Sequence, residues 1–91
     1  MAKIARHVRV TGRVQGVFFR GWTKEQAKKH DIAGWVRNCP DGTVEAHLEG
    51  EEAAVRWLID LIYDGPGSSR VDLVQSKEAE MEGLSDFEIR H

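Results

Sequence analysis

The stretch Ile32-Ala33-Gly34-Trp35-Val36-Arg37-Asn38-Cys39-Pro40-Asp41-Gly42-Thr43-Val44-Glu45-Ala46-His47-Leu48-Glu49 decides the fold. Ile32, Gly34 and Val36 alternate with Ala33, Trp35 and Arg37. Beyond the turn, Val44, Ala46 and Leu48 alternate with Thr43, Glu45, His47 and Glu49, the period of two that belongs to strands. Cys39-Pro40-Asp41-Gly42 joins the two runs with turn chemistry, because Asp-Gly tolerates positive φ. The stretch predicts an antiparallel hairpin with one face buried, stopped by Gly50.

Toward the N-terminus, Arg6 to Thr11 also alternates, with Val8 and Val10 on one face and His7, Arg9 and Thr11 on the other. Gly12 and Gly16 then bracket a turn, and Phe19, Thr23, Ala27 and His30 recur at helical spacing. A helix from about Arg20 to His30 follows, with His30 partly buried on its apolar face. Toward the C-terminus, Glu51 and Glu52 put negative charge where a helix begins, and Ala54, Trp57, Leu58, Leu61 and Ile62 form an apolar stripe as far as Asp64. No helix crosses Gly65-Pro66-Gly67-Ser68-Ser69. Val71 and Leu73 begin a strand that becomes highly charged after Ser76, and Phe87 with Ile89 marks a short last strand. The order strand, helix, strand, strand, helix, strand predicts an α+β chain, a ferredoxin-like βαββαβ sandwich forming a single domain over residues 1–91. Its antiparallel sheet is expected in the order 4-1-3-2, with both helices on one face.

Composition removes several classes of function. Lys plus Arg number 13 against 15 Asp plus Glu, a net charge of -2, so no general attraction to nucleic acid or anionic membrane exists and neither is expected as a partner. No apolar run approaches the roughly 20 residues of a membrane helix. Cys39 is the single cysteine and cannot form an intrachain disulfide, and Met1 to Arg6 lacks the apolar core of a secretory signal. A cytoplasmic monomer is the default expectation. His7, His30, His47 and His91 are scattered without metal-clamping spacings, so neither a metal nor a cofactor is expected.

In the 4-1-3-2 order the first and second strands run the same way with the third between them, and their C-terminal ends reach one edge about 10 Å apart, two strand spacings. One end delivers Gln15-Gly16-Val17-Phe18-Phe19 and then Arg20; the other delivers Asn38. A glycine-containing loop feeding a helix presents backbone N–H groups without helical partners, and arginine adds a planar charged fork suited to phosphate oxygens. That is a local anion pocket with room for a phosphoryl group and a water. Taken alone, the loop is more simply a plain strand-to-helix turn with Arg20 solvated. Two nucleotide-related motifs fail. Gly16, Gly21 and Thr23 fit GxxxxGK[ST], but Trp22 replaces the lysine; Arg13 to Arg20 matches the aromatic RNA-binding octamer only at Arg13 and Gly16.

Read together, Val10-Thr11-Gly12-Arg13-Val14-Gln15-Gly16-Val17-Phe18-Phe19-Arg20, Gly34-Trp35-Val36-Arg37-Asn38 and Asp41-Gly42-Thr43-Val44-Glu45 resemble the acylphosphatase signature. The likeness continues through Ala27, Gly50, Trp57 and Gly65-Pro66 to Val71, almost the whole chain. It implies hydrolysis of an acyl phosphate to a carboxylate and inorganic phosphate, without a metal or a covalent phosphoenzyme. On this resemblance Arg20 matches the phosphate-binding arginine and Asn38 the water-orienting asparagine. Gln15, Gly16, Val17, Phe18 and Phe19 match the segment whose backbone amides hold the phosphoryl oxygens.

Two other readings compete: a non-catalytic binding module that keeps the anion cradle, and kinship with the acylphosphatase-like segment of hydrogenase-maturation carbamoyltransferases. The presence of both Arg20 and Asn38 weighs against the first and chain length against the second. Cys39 reads as a small turn residue, Trp35 and Trp57 as core aromatics, and Trp22 as a candidate for the acyl side of the pocket.

Overall fold

The computed structural model describes residues 2–16 and 18–90. Its elements are β1 (Lys3–Arg13), α1 (Phe19–Lys29), β2 (Ala33–Asn38), β3 (Val44–Glu51), α2 (Glu52–Asp64), β4 (Arg70–Glu78) and β5 (Phe87–Arg90). The sheet order is β4-β1-β3-β2-β5. The four strands expected from the sequence pair antiparallel in the order 4-1-3-2, and β5 adds to the free edge of β2 in parallel, which makes the sheet mixed.

The inner face carries Val8 and Val10 opposite Ala46 and Val44, with Val36, Val74 and Phe87 beside them. Phe19 and Ala27 of α1 and Val55, Leu58, Ile59 and Ile62 of α2 close over it in one continuous core. Asp31, at φ 56, ends α1: the Ile32 N–H reaches back to the Ala27 carbonyl at 2.9 Å, the closure of a left-handed helix terminus.

The structure corrects five expectations of the fold. Gly50 does not stop β3, which runs to Glu51 because Gly50 stays paired with Ile4. The apolar stripe of α2 is turned by about one residue, so Val55 and Ile59 are buried and Trp57 is 40% exposed. Aliphatic side chains at i, i+3, i+4 and i+7 make the flatter face against a sheet. His30 is exposed, its ring 4.0 Å from that of Trp57. Trp35 lies outside the core, stacked on His47 with Arg37 and Arg90 over its ring.

The fifth correction concerns the face of β3 expected to meet water. Glu45, His47 and Glu49 are all buried although no helix covers them. Glu45 is enclosed by His7, Arg9 and Arg37 from the flanking strands. Glu49 accepts the backbone N–H groups of Glu82 and Leu84, which draws the connector between β4 and β5 across it.

Candidate active site

The chain leaves β1 through Val14, Gln15 and Gly16, and two residues before α1 take left-handed backbone: Gly16 at φ 73 and Phe18 at φ 63, ψ 21. For phenylalanine this conformation is uncommon, since its β-carbon crowds the backbone. Backbone in this region is the kind from which anion nests are built. The first turn of α1 holds no acidic side chain and its last turn holds Lys28 and Lys29, so the positive end of the helix dipole stays uncompensated beside the loop.

Arg20 in that first turn and Asn38 at the end of β2 line one cavity of about 300 Å³, together with Val14, Gly16, Phe18, Phe19, Gly21 and Ile89. The Asn38 side-chain oxygen is buried and has no hydrogen-bond donor among the described residues. Arg20 is half-buried and forms no ion pair within the same set. A larger hollow of about 470 Å³ lies on the outer face around His7, Arg9 and Glu45, but those charges are paired with one another.

Of the residues singled out from sequence, Gly16, Phe18, Phe19, Arg20 and Asn38 meet at this cavity, and Val17 lies outside the described residues. The Gln15 side chain points elsewhere: its Nε2 donates to the carbonyls of Cys39 and Thr43, each at 2.9 Å. Cys39 is buried in the turn after Asn38, its N–H donating to Thr43 O at 2.8 Å. Trp22, one candidate for the acyl side, does not line the cavity; it packs against the core with its ring 5.6 Å from Phe19. Sequence reasoning misses Val14, Gly21 and Ile89. Ile89 arrives only because β5 pairs parallel with β2, opposite Val36, and no local pattern signals that pairing.

The strand that carries Asn38 is braced from the outer face. Arg37 Nε donates to Glu45 at 2.7 Å across the β2–β3 ladder, and Arg9 Nη2 donates to the same carboxylate at 3.2 Å from β1. His7 Nε2 lies 2.7 Å from Glu45 Oε2. Burial pushes the Glu45 carboxyl up, but hydrogen bonds with His7 and Arg37 outweigh it and hold the group below its ordinary range. In the turn, Asp41 is held low by hydrogen bonds from the Thr43 hydroxyl at 2.7 Å and backbone N–H at 3.0 Å. Among the described residues no three His, Cys, Asp or Glu side chains gather in a metal-holding arrangement.

The sequence profile of the Acylphosphatase family matches residues 6–89. A Thermococcus kodakarensis protein named an acylphosphatase is 46% identical over 89 residues, covering 98% of each chain. The crystal structure of acylphosphatase from Bacillus subtilis superposes with a TM-score of 0.94 at 36% identity, covering 97% of this chain and 99% of that one. The structure of an acylphosphatase from Coxiella burnetii gives a TM-score of 0.93 at 36% identity, over 97% of this chain and 93% of that one. Agreement this complete in sequence and in shape means that the chain belongs to the acylphosphatase family of hydrolases.

Proposed function

We propose that this chain hydrolyses acyl phosphates to a carboxylate and inorganic phosphate without a metal ion. In this reading Arg20 and the loop N–H groups from Gln15 to Phe19 bind the phosphoryl group, and Asn38 orients the attacking water. The observation that carries it is the convergence of Arg20, from the start of α1, and Asn38, from the end of β2, on one cavity. Asn38 brings to that cavity a buried oxygen lacking a protein donor, which can accept a hydrogen bond from water.

The chemistry needs little else. A carboxylate leaves with a conjugate-acid pKa of about 4 to 5, so no general acid has to protonate it. The water oxygen bonds to phosphorus as the phosphorus–oxygen bond to the acyl group breaks, and the electron pair departs with the carboxylate. Negative charge spread over the equatorial phosphoryl oxygens meets the Arg20 fork and fixed N–H donors, which act without reorganising. Among the described residues the cavity lining contains no carboxylate or imidazole, and in this reading the water proton passes to a phosphoryl oxygen of the substrate. A single domain over residues 1–91, acting as a cytoplasmic monomer on a small diffusible substrate without nucleic acid or membrane, fits this reading; a net charge of -2 offers no general attraction to polyanions, and among the described residues no helix is long and apolar enough to cross a membrane.

The test is hydrolysis of benzoyl phosphate in the presence of a chelator. Native protein should turn over at an undiminished rate, and Arg20→Ala and Asn38→Ala should each lose about 100- to 1,000-fold in kcat/KM. Inorganic phosphate should inhibit competitively, and Arg20→Ala should remove that inhibition while Asn38→Ala retains it. Chelator-sensitive turnover would end the metal-free mechanism, and full activity in both folded variants would end the site assignment.

A further inference from the structure

Phe18 breaks two local rules at once. It takes left-handed backbone as a bulky aromatic, and it is 73% exposed in a loop whose next residue, Phe19, is buried. Strain of this kind persists where the surroundings hold it and where function uses it. What holds the ring is Gly21, one turn into α1. A β-carbon at Gly21 would overlap Cε1 and Cζ of Phe18 and sit 3.0 Å from Cδ1. Gly21 is helical and its φ is not positive, so the backbone has no need of glycine there and alanine would favour the helix. The missing side chain is explained by the ring lying over it.

Phe18, Gly21 and Ile89 line the same cavity as Arg20 and Asn38. With the phosphoryl group held at Arg20 and Asn38, the acyl carbon is one bridging oxygen away from phosphorus. The acyl group must therefore rest on the apolar remainder of the lining. We propose that the Phe18 ring, seated on Gly21, is the acyl-side platform of this site and makes the enzyme favour aromatic acyl phosphates over small aliphatic ones. An open ring face offers a planar aryl group offset stacking that an acetyl methyl cannot use. The inference rests on the acylphosphatase reading above.

The experiment compares kcat/KM for benzoyl phosphate and acetyl phosphate in the native chain, Phe18→Ala, Phe18→Leu and Gly21→Ala. The benzoyl-to-acetyl ratio should fall about five-fold in Phe18→Ala, the size of one aromatic contact. It should fall in the same direction in Gly21→Ala, where the helix is kept and only the ring is displaced. Phe18→Leu should not restore it. Arg20→Ala should reduce both substrates alike and leave the ratio as in the native chain. A ratio unchanged in Phe18→Ala and Gly21→Ala, with both substrates still hydrolysed, would overturn the platform. Full recovery in Phe18→Leu would overturn the aromatic preference by showing that apolar bulk suffices. If the native chain hydrolyses neither substrate, the underlying hydrolase reading fails first, and that outcome is distinct from a flat ratio.

Discussion

Gln15 and Cys39 are joined by a 2.9 Å hydrogen bond from the Gln15 amide to the Cys39 carbonyl, which ties the loop after β1 to the residue next to Asn38. The same amide donates to Thr43 O at 2.9 Å, so one side chain clamps the cradle to both ends of the β2–β3 turn. The two halves of the site belong to different strands, and this clamp sets their separation.

Removing the clamp should loosen the site before it unfolds the protein. Gln15→Ala should cost about 1 to 2 kcal/mol of stability, the net worth of two partly buried hydrogen bonds. It should also raise KM for an acyl phosphate. Gln15→Glu should be worse, because a carboxylate cannot donate to either carbonyl and adds negative charge beside an anion site. Urea denaturation and steady-state kinetics on the two variants check this; equal KM values in all three proteins would show that Gln15 does not position the loop.

Glu49 should make the fold acid-labile. Burial raises its carboxyl, but N–H donation from Glu82, the hydrogen bond with His47 and the Leu84 N–H outweigh that and hold it below its ordinary value of 4.5. A carboxylate with a lowered folded pKa contributes stability that is fully present above the unfolded value and is lost as pH falls through the folded one. Glu49→Gln should therefore destabilise at pH 7, and its deficit relative to the native chain should shrink below about pH 4.5. Denaturation midpoints measured at pH 7 and 3.5 decide it, and a constant deficit would count against the account.

Gly34 should tolerate no side chain. It sits at φ 145 between β3 and β5, and a β-carbon would run into the His47 carbonyl and approach Phe87 Cε2 at 3.3 Å. Gly34→Ala should cost at least about 2 kcal/mol through backbone strain and displacement of β3. A thermal midpoint within a degree of native would refute the geometry.

Trp57 should be nearly dispensable. At 40% exposure, with its ring tilted against that of the exposed His30, it lacks the contacts of a buried aromatic. Trp57→Ala should cost about 1 kcal/mol, against 3 to 5 kcal/mol for truncating a core aromatic. Phe19→Ala, at a position 2% exposed, provides the contrast in the same denaturation assay.

Sequence alone was enough for every element whose signal is local. The alternation of Val44, Ala46 and Leu48, the Asp41-Gly42 turn, the helical recurrence of Phe19, Thr23 and Ala27, and the arrival of Arg20 and Asn38 at one edge all follow from periods of two and 3.6 and from strand order. What tertiary structure decided lies between segments distant in the chain. The parallel seat of β5 brings Ile89 to the cavity, the connector over Glu49 buries the polar face of β3, Gln15 clamps the loop, and Phe18 lies on Gly21. Periodicity states which side of an element is apolar, because neighbouring residues share one backbone geometry. It is silent on which distant group covers the other side, since that depends on the packing of the whole chain.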